Sequence, residues 1–188
     1  MSQTDAFIAR LTNDRILGPG ERARLCALAG RGLDGDTSGF DLFTGLWWPL
    51  RKKNQAAPRR EVAWMVAKLY GAFPVQHVRP NGGKGPALAQ VLGWCEPREP
   101  YRKESFRRRF DALLCTPLGG LEPHLRWALS VVRKAVAAGH TQGIDWVQLT
   151  DHLSIWDRGE EHRLDRDVRD IWAEQYLEST EYPQEKET

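Results

Sequence analysis

Apolar residues recur along this chain with the period of a helix. In residues 4–15, Phe7, Ile8 and Leu11 share one face. Gly18-Pro19-Gly20 interrupts that pattern, and Pro19 suits the first turn of a new helix reaching about Gly30, with Leu25 and Leu28 inward. Gly32, Asp34, Gly35 and Asp36 make 31–38 a loop. Phe40, Phe43 and Trp47 then fall at i, i+3 and i+7. Pro58 opens the clearest helix, in which Val62, Met65, Val66 and Leu69 form one stripe and Pro74 lies just past the end. Residues 79–86 are rich in Gly and Pro and predict irregular backbone, followed by a short helix over 87–93.

Glu96-Pro97-Arg98-Glu99-Pro100 reads as a linker. Beyond it, residues 101–115 carry the stripe Phe106, Phe110, Leu113 and Leu114, and Pro117-Leu118-Gly119-Gly120 is a turn. Pro123 begins a long helix to about Ala138, with Leu125, Leu129, Val132 and Val136 inward. Asp145 is placed to cap a helix bearing Trp146, Leu149, Leu153 and Trp156. A last helix after Gly159 carries Leu164, Val168, Ile171 and Trp172, and 180–188 is a charged tail. No useful alternating run predicts a strand. The expectation is an all-α fold of about eight or nine helices in two packed bundles, 1–96 and 97–180, with 181–188 a flexible tail.

Charge changes the picture more than composition does. The 188 residues hold 27 Lys+Arg and 25 Asp+Glu, a net of +2. By segment the balance disappears. Residues 1–50 carry 5 basic and 6 acidic side chains, 51–134 carry 17 and 6, and 135–188 carry 5 and 13. A strongly basic middle and an acidic end point to contact between the middle and phosphates. No apolar run approaches a membrane span, and Met1-Ser2-Gln3-Thr4-Asp5 does not begin a secretory signal. Cys26, Cys95 and Cys115 are odd in number and widely spaced, which predicts reduced, buried thiols in a cytoplasmic protein.

The basic residues are ordered on the predicted helices. At about 100° per residue, Arg107 and Arg108 face away from Phe106 and Phe110, while Arg126 and Arg133 lie about 20° apart on one stripe that Lys134 widens. Arg51, Lys52 and Lys53 follow Trp47-Trp48. Arg59 and Arg60 occupy a first helical turn, where cations oppose the macrodipole and Glu61 could offset them. The tryptophans predict core packing or a protein interface more than base stacking.

Catalytic signals are weak. Gly82-Gly83-Lys84-Gly85 fails as a phosphate loop, since Val78 stands where the first Gly belongs and Gly85 where Ser or Thr belongs. A mobile loop touching a polyanion suits it better. His77, His124, His140, His152 and His162 form no metal motif, and His152 and His162 are expected at the surface or capping a helix. A metal-dependent nuclease would draw on Asp145, Asp151 and His152, without a ligand motif to support it. No metal, cofactor or catalytic residue is expected, and a helical adaptor for an acidic protein is the alternative to a nucleic-acid binder.

Several blocks in order carry a family resemblance. They are Phe43-Thr44-Gly45-Leu46-Trp47-Trp48-Pro49-Leu50-Arg51; Pro58-Arg59-Arg60-Glu61-Val62-Ala63-Trp64-Met65-Val66-Ala67-Lys68-Leu69-Tyr70; Arg109-Phe110-Asp111-Ala112-Leu113-Leu114; Leu121-Glu122-Pro123-His124-Leu125-Arg126-Trp127-Ala128-Leu129; Ile144-Asp145-Trp146-Val147-Gln148-Leu149 with Trp156; and Trp172-Ala173-Glu174-Gln175-Tyr176-Leu177. Over about residues 5–178 the chain resembles the small subunit of the type I-E CRISPR Cascade complex, the CasB family. The resemblance implies an all-helical, non-catalytic subunit, present as two head-to-tail copies beside the other Cascade subunits. It implies contact with the backbones of guide RNA and target DNA and stabilisation of the R-loop and displaced strand. Position within those blocks favours Arg59 and Arg126, and Arg107, Arg108 and Arg109 lie in the basic patch before Leu113-Leu114. Arg24, Arg51, Arg60, Arg133 and Lys134 complete the candidate nucleic-acid-binding set.

Overall fold

In this computed structural model the described residues are 3–32, 39–53, 58–80, 83–157 and 167–181. They form nine helices: α1 Gln3–Leu11, α2 Pro19–Ala27, α3 Phe40–Lys53, α4 Arg60–Ala72, α5 Leu88–Trp94, α6 Pro100–Cys115, α7 Glu122–Ala137, α8 Trp146–Ile155 and α9 Val168–Glu181. A 3-10 turn at Leu118–Gly120 joins α6 to α7. Among the described residues there is no strand, only an isolated parallel bridge between His77 and Ile144, so the fold is all-α. No helix among them is long and apolar enough to cross a membrane.

Local chemistry moves several expected boundaries. α1 stops four residues before Arg15, because Asn13 forms a turn of its own. The Asn13 carbonyl accepts from the Ile16 and Leu17 amides at 2.9 Å, and its side chain accepts from the Arg15 amide at 2.9 Å. α3 runs past Trp47 and through Pro49, although a proline inside a helix leaves the carbonyl four residues back without its amide partner. That carbonyl is Gly45's, and Arg10 Nη2 donates to it at 2.8 Å. The long-range bond offsets what Pro49 removes. α4 begins at Arg60, two residues after Pro58. Asp145 caps α8 as its sequence position suggests, accepting from the Val147 and Gln148 amides at 3.0 and 3.1 Å. α9 runs through Glu181, inside the segment expected to be tail. Gly159, Leu164, His162, residues 182–188 and residues 33–38 of the expected loop lie outside the described residues.

One hydrophobic cluster runs from Phe7 on α1 to Tyr176 on α9. Within it α5 lies along α9, α2 along α4, α1 against α8, and α4 against α7 and α8. Helices on either side of the 96–100 linker therefore pack directly on one another. The α5–α9 approach needs Gly93, where a β-carbon would sit 2.5 Å from the Tyr176 carbonyl oxygen. The buried tryptophans confirm the core expectation, and their indole N–H groups find acceptors. Trp64 donates to the Arg31 carbonyl, Trp146 to the Val75 carbonyl and Trp156 to the Thr116 carbonyl, at 3.1, 2.9 and 2.9 Å.

Two buried polar contacts fix how the helices meet. Lys68 on α4 donates from Nζ to Glu122 Oε2 on α7 at 2.6 Å and to the Arg31 carbonyl at 2.7 Å. Its ammonium also lies 5.5 Å from the Trp64 ring centre, and Glu122 Oε1 accepts from the Gly30 amide at 2.9 Å. The second contact joins α8 to α9. Trp172 Nε1 donates to His152 Nδ1 at 2.8 Å. His152 is thus no surface or capping residue but a half-buried acceptor. Burial above all, then the positive charge of Lys84, push its pKa down from 6.5 to about 4, against the pull of Asp145.

Each contact yields an expected outcome. Lys68→Met leaves a buried carboxylate without its cation and should cost about 3–5 kcal/mol by urea denaturation, whereas the double variant K68M/E122L should recover much of that loss. Recovery no better than the single variant would show that the polar pair itself is required. For His152, the unfolded chain binds a proton near pH 6.5 that the folded chain refuses until about pH 4. Folding stability should therefore fall on acidification across that window, by on the order of 3 kcal/mol, and level off below it. His152→Gln keeps an acceptor without titrating, and the difference between its urea midpoint and the parent's should shrink in step with pH over that window.

Candidate nucleic-acid interface

The site begins with the outer side of α7. Its inner stripe, Leu125, Ala128, Leu129 and Val132, is wholly buried, which turns Arg133 and Lys134 to solvent. Arg126 is half-buried and Arg133 exposed, yet both guanidiniums lie over one ring, that of Phe73 just past the end of α4, at 5.5 and 5.3 Å from its centre. Seven residues separate them along the helix, about 10 Å, so the two side chains lean toward each other. Arg126 Nη1 is buried without a hydrogen-bond partner. On the neighbouring stripe Arg109 of α6 lies 6.0 Å from the centre of the Trp127 ring, and Lys134 follows Trp127 at i+7. Stacking on aromatic faces holds these arginines without neutralising them.

The other cations are divided by the carboxylates available. Of the six acidic residues in 51–134, five have basic partners within the same segment. Glu61 takes Arg59, Glu99 takes Arg102 at 3.4 Å, Glu104 takes Arg108 at 2.5 Å, and Glu122 takes Lys68. Glu96 takes Arg107 at 2.5 Å and Lys103 at 3.0 Å, and also accepts from the Tyr176 hydroxyl at 2.6 Å. Burial opposes ionisation of Glu96, but Arg107, Tyr176 and Lys103 together outweigh it and hold its pKa below the ordinary value. Burial, and next the bond to Glu96, push the Tyr176 phenol up. At the start of α4, the Glu61 backbone amide, acting against burial and helped by Arg59 and Arg60, lowers the Glu61 pKa. The carboxylate thus offsets two cations at a helix N-terminus.

Among the described residues Lys84, Arg98, Arg109, Arg126, Arg133 and Lys134 meet no carboxylate. Arg24 and Arg60 are exposed on α2 and α4, and Arg51 is exposed on α3 with its guanidinium 6.0 Å from the centre of the Trp47 ring. Arg107 and Arg108 face outward as periodicity requires, but as members of ion pairs. The structure thus gathers Arg109, Arg126, Arg133 and Lys134 on one surface and engages Arg59, Arg107 and Arg108 elsewhere. Sequence reasoning missed Phe73, because nothing in a helix pattern joins position 73 to positions 126 and 133.

The residues considered for a nuclease have other partners. Asp145 is fully buried, and besides capping α8 it accepts from the Gly85 amide at 3.1 Å through Oδ2, with Arg79 Nε 3.6 Å away. Arg79 also pairs with Asp5. Asp151 accepts from the Thr4 hydroxyl at 2.6 Å, and His152 accepts from Trp172. Among the described residues no three His, Cys, Asp or Glu side chains group as for a metal ion. Cys26 and Cys95 are half-buried, and burial pushes the Cys95 thiol up to about 11. Cys115, expected inside, is exposed at the last turn of α6, whose inward positions are taken by Phe110 and Leu113.

Comparison with known proteins identifies a family and a fold. The family described as CRISPR-associated protein Cse2 matches residues 21–177. A crystal structure of a CRISPR-associated protein of the Cse2 family from Thermus thermophilus is 25% identical, with a TM-score of 0.63 over 95% of this chain and 99% of that one. CasB of M. ruber has a TM-score of 0.70 at 18% identity, covering 96% of this chain and 95% of its own. A chain of a CRISPR RNA-guided surveillance complex has a TM-score of 0.65 at 20% identity, covering 95% and 94%. These last two likenesses concern the fold alone. Among curated proteins none matches the chain.

Proposed function

This chain belongs to the CRISPR-associated Cse2 family, and from that premise we propose that it is a non-catalytic nucleic-acid-binding subunit of a CRISPR RNA-guided interference complex. Its partners are guide RNA and target DNA, held through their phosphate backbones, together with the other Cascade subunits and a second copy of itself. Its task is to stabilise the R-loop and the displaced strand. The observation that carries the reading is the α7 surface, where Arg126 and Arg133 crowd one phenylalanine with no carboxylate beside them. Two guanidiniums drawn together without a counter-charge repel each other, and a phosphate between or above them relieves that repulsion. Backbone contact of this kind carries no sequence preference, which suits a subunit that serves any guide. Because exchange of a DNA duplex for a guide–target heteroduplex is nearly balanced, a few phosphate contacts are enough to tip it.

Exposed apolar side chains favour protein contacts in addition. Trp48, Tyr101 and Leu177 are 53%, 85% and 53% exposed, and large apolar side chains at such exposure, the two aromatics above all, fit the cores of subunit interfaces.

The binding surface makes a quantitative prediction. The isolated chain should bind single- and double-stranded DNA without sequence preference, with affinity falling by orders of magnitude between about 50 and 200 mM salt if about six phosphates are contacted. Arg126→Ala and Arg133→Ala should each weaken binding uniformly across sequences and reduce the log–log salt slope by about one. Arg108→Ala, which breaks an exposed pair with Glu104, should do less. In the assembled complex R126A/R133A should shorten R-loop lifetime. An unchanged lifetime, or a flat salt response of the parent chain, would refute the assignment.

A further inference from the structure

A second feature faces solvent beside the irregular backbone that follows α4. Between the end of α4 and the start of α5 the chain lines an open groove of about 600 Å³. Its walls include Gln76, Arg79, Lys84, Gln90, Trp94 and Gln142, and no carboxylate is among the lining residues. Lys84 is exposed and, among the described residues, pairs with no acid. Trp94 is half-buried, packed against the hydrophobic cluster on one side while contributing to the groove on the other.

The walls are pinned. The Val78 amide donates to the Ile144 carbonyl at 2.9 Å, the Ile144 amide to the Gln76 carbonyl at 3.1 Å, and the Asp145 amide to the Pro86 carbonyl at 2.8 Å. His77 Nδ1 accepts from the Trp146 amide at 3.2 Å, and Asp145 holds Gly85 from below. The contact is so close that a β-carbon at Gly85 would sit 1.7 Å from the Val78 carbonyl oxygen. Both ends of the 79–86 segment are therefore built onto the start of α8, and the groove exists before any ligand arrives. Preformed sites avoid the ordering cost that a loose loop would incur on binding.

The chemistry of the lining is mixed in a particular way. Lys84 serves an anion, Arg79 being already paired with Asp5 and Asp145; an indole serves a flat ring, and the carboxamides supply donors and acceptors, although the Gln90 oxygen already accepts from the Ala87 amide at 3.4 Å. An anion alone could use the amide N–H groups but has no use for the indole or for the amide oxygens. A nucleobase with its phosphate uses all three, since base edges carry both donors and acceptors and every base has a face to stack. A carboxamide can turn either end toward its partner, so such a pocket does not select one base.

We propose that this groove receives one unstacked base and its phosphate from a single-stranded nucleic acid, with Trp94 as stacking platform, Gln76, Gln90 and Gln142 at the base edge and Lys84 on the phosphate. The inference rests on the nucleic-acid reading of the family, but the groove shares no residue with the α7 cations or the ring beneath them.

The test uses the full chain and two labelled strands of equal length and charge, one of oligothymidine and one in which the bases are replaced by abasic sites, titrated by fluorescence anisotropy at low salt. The parent chain should prefer the base-bearing strand by about tenfold. Trp94→Ala and Gln142→Ala should each reduce that preference, and Lys84→Ala should weaken both strands alike. Gln142 is exposed, so its variant decides the matter if Trp94→Ala fails to fold. R126A/R133A should weaken both strands and keep the preference. Equal affinity of the parent chain for the two strands, or an undiminished preference in Gln142→Ala, would overturn the pocket and leave the α7 surface standing. Failure to bind either strand would overturn both.

Discussion

The buried pair of Lys68 and Glu122 is the contact on which the arrangement of this molecule turns. Neither charge can enter the interior alone, since an unpaired buried ion costs several kcal/mol. Their requirement for each other fixes α4 against the first turn of α7. The same two groups take up the Arg31 carbonyl and the Gly30 amide, so the chain leaving α2 is tied to the same point. Once those helices are fixed, the end of α4 delivers Phe73 beside α7. Arg126 and Arg133 then have a ring to lie on instead of free solvent. A contact between two buried residues thereby determines the form of an exposed surface.

The distribution of acid follows the same logic. In the basic middle segment every glutamate is committed to a cation: Glu61 at the start of α4, Glu96 between α5, α6 and α9, Glu99 and Glu104 along α6, Glu122 in the interior. None lies against the cations of α7. The excess of basic over acidic residues is therefore not spread evenly but left on particular faces, the outer side of α7 and the groove around Lys84. Net charge alone gives no hint of this, and neither does the count by segment.

Periodicity was enough to read the helices, their inward stripes and the cap at Asp145, because those depend on neighbours within a turn or two. It was enough to turn Arg107, Arg108 and Arg133 outward and to put Arg126 on the stripe of Arg133 for the same reason. It failed where a distant group decides the outcome. α3 survives Pro49 because Arg10, on another helix, takes the Gly45 carbonyl. His152 is an acceptor because Trp172 reaches it from α9. Arg107 is bound because Glu96, in what reads as a linker, comes back to it. Residues 79–80 and 83–86, irregular as the Gly and Pro there predict, are anchored in part because Asp145 caps α8 with one oxygen and holds Gly85 with the other.

That double use of Asp145 bears on why so irregular a segment sits beside a helix start at all. A cap residue needs only one oxygen for the first-turn amides. The second oxygen of a fully buried carboxylate must find a partner of its own or raise the cost of burial. Here the Gly85 amide and Arg79 supply it. Satisfying a buried cap and shaping a solvent-facing groove are thus one event, and Asp145→Asn, which keeps a capping oxygen but not the second acceptor, should loosen the groove while leaving α8 capped. Tryptophan fluorescence and proteolysis between residues 76 and 86 would detect that loosening, and unchanged protection there would mean that the backbone bonds between 76–78 and 144 hold the segment by themselves.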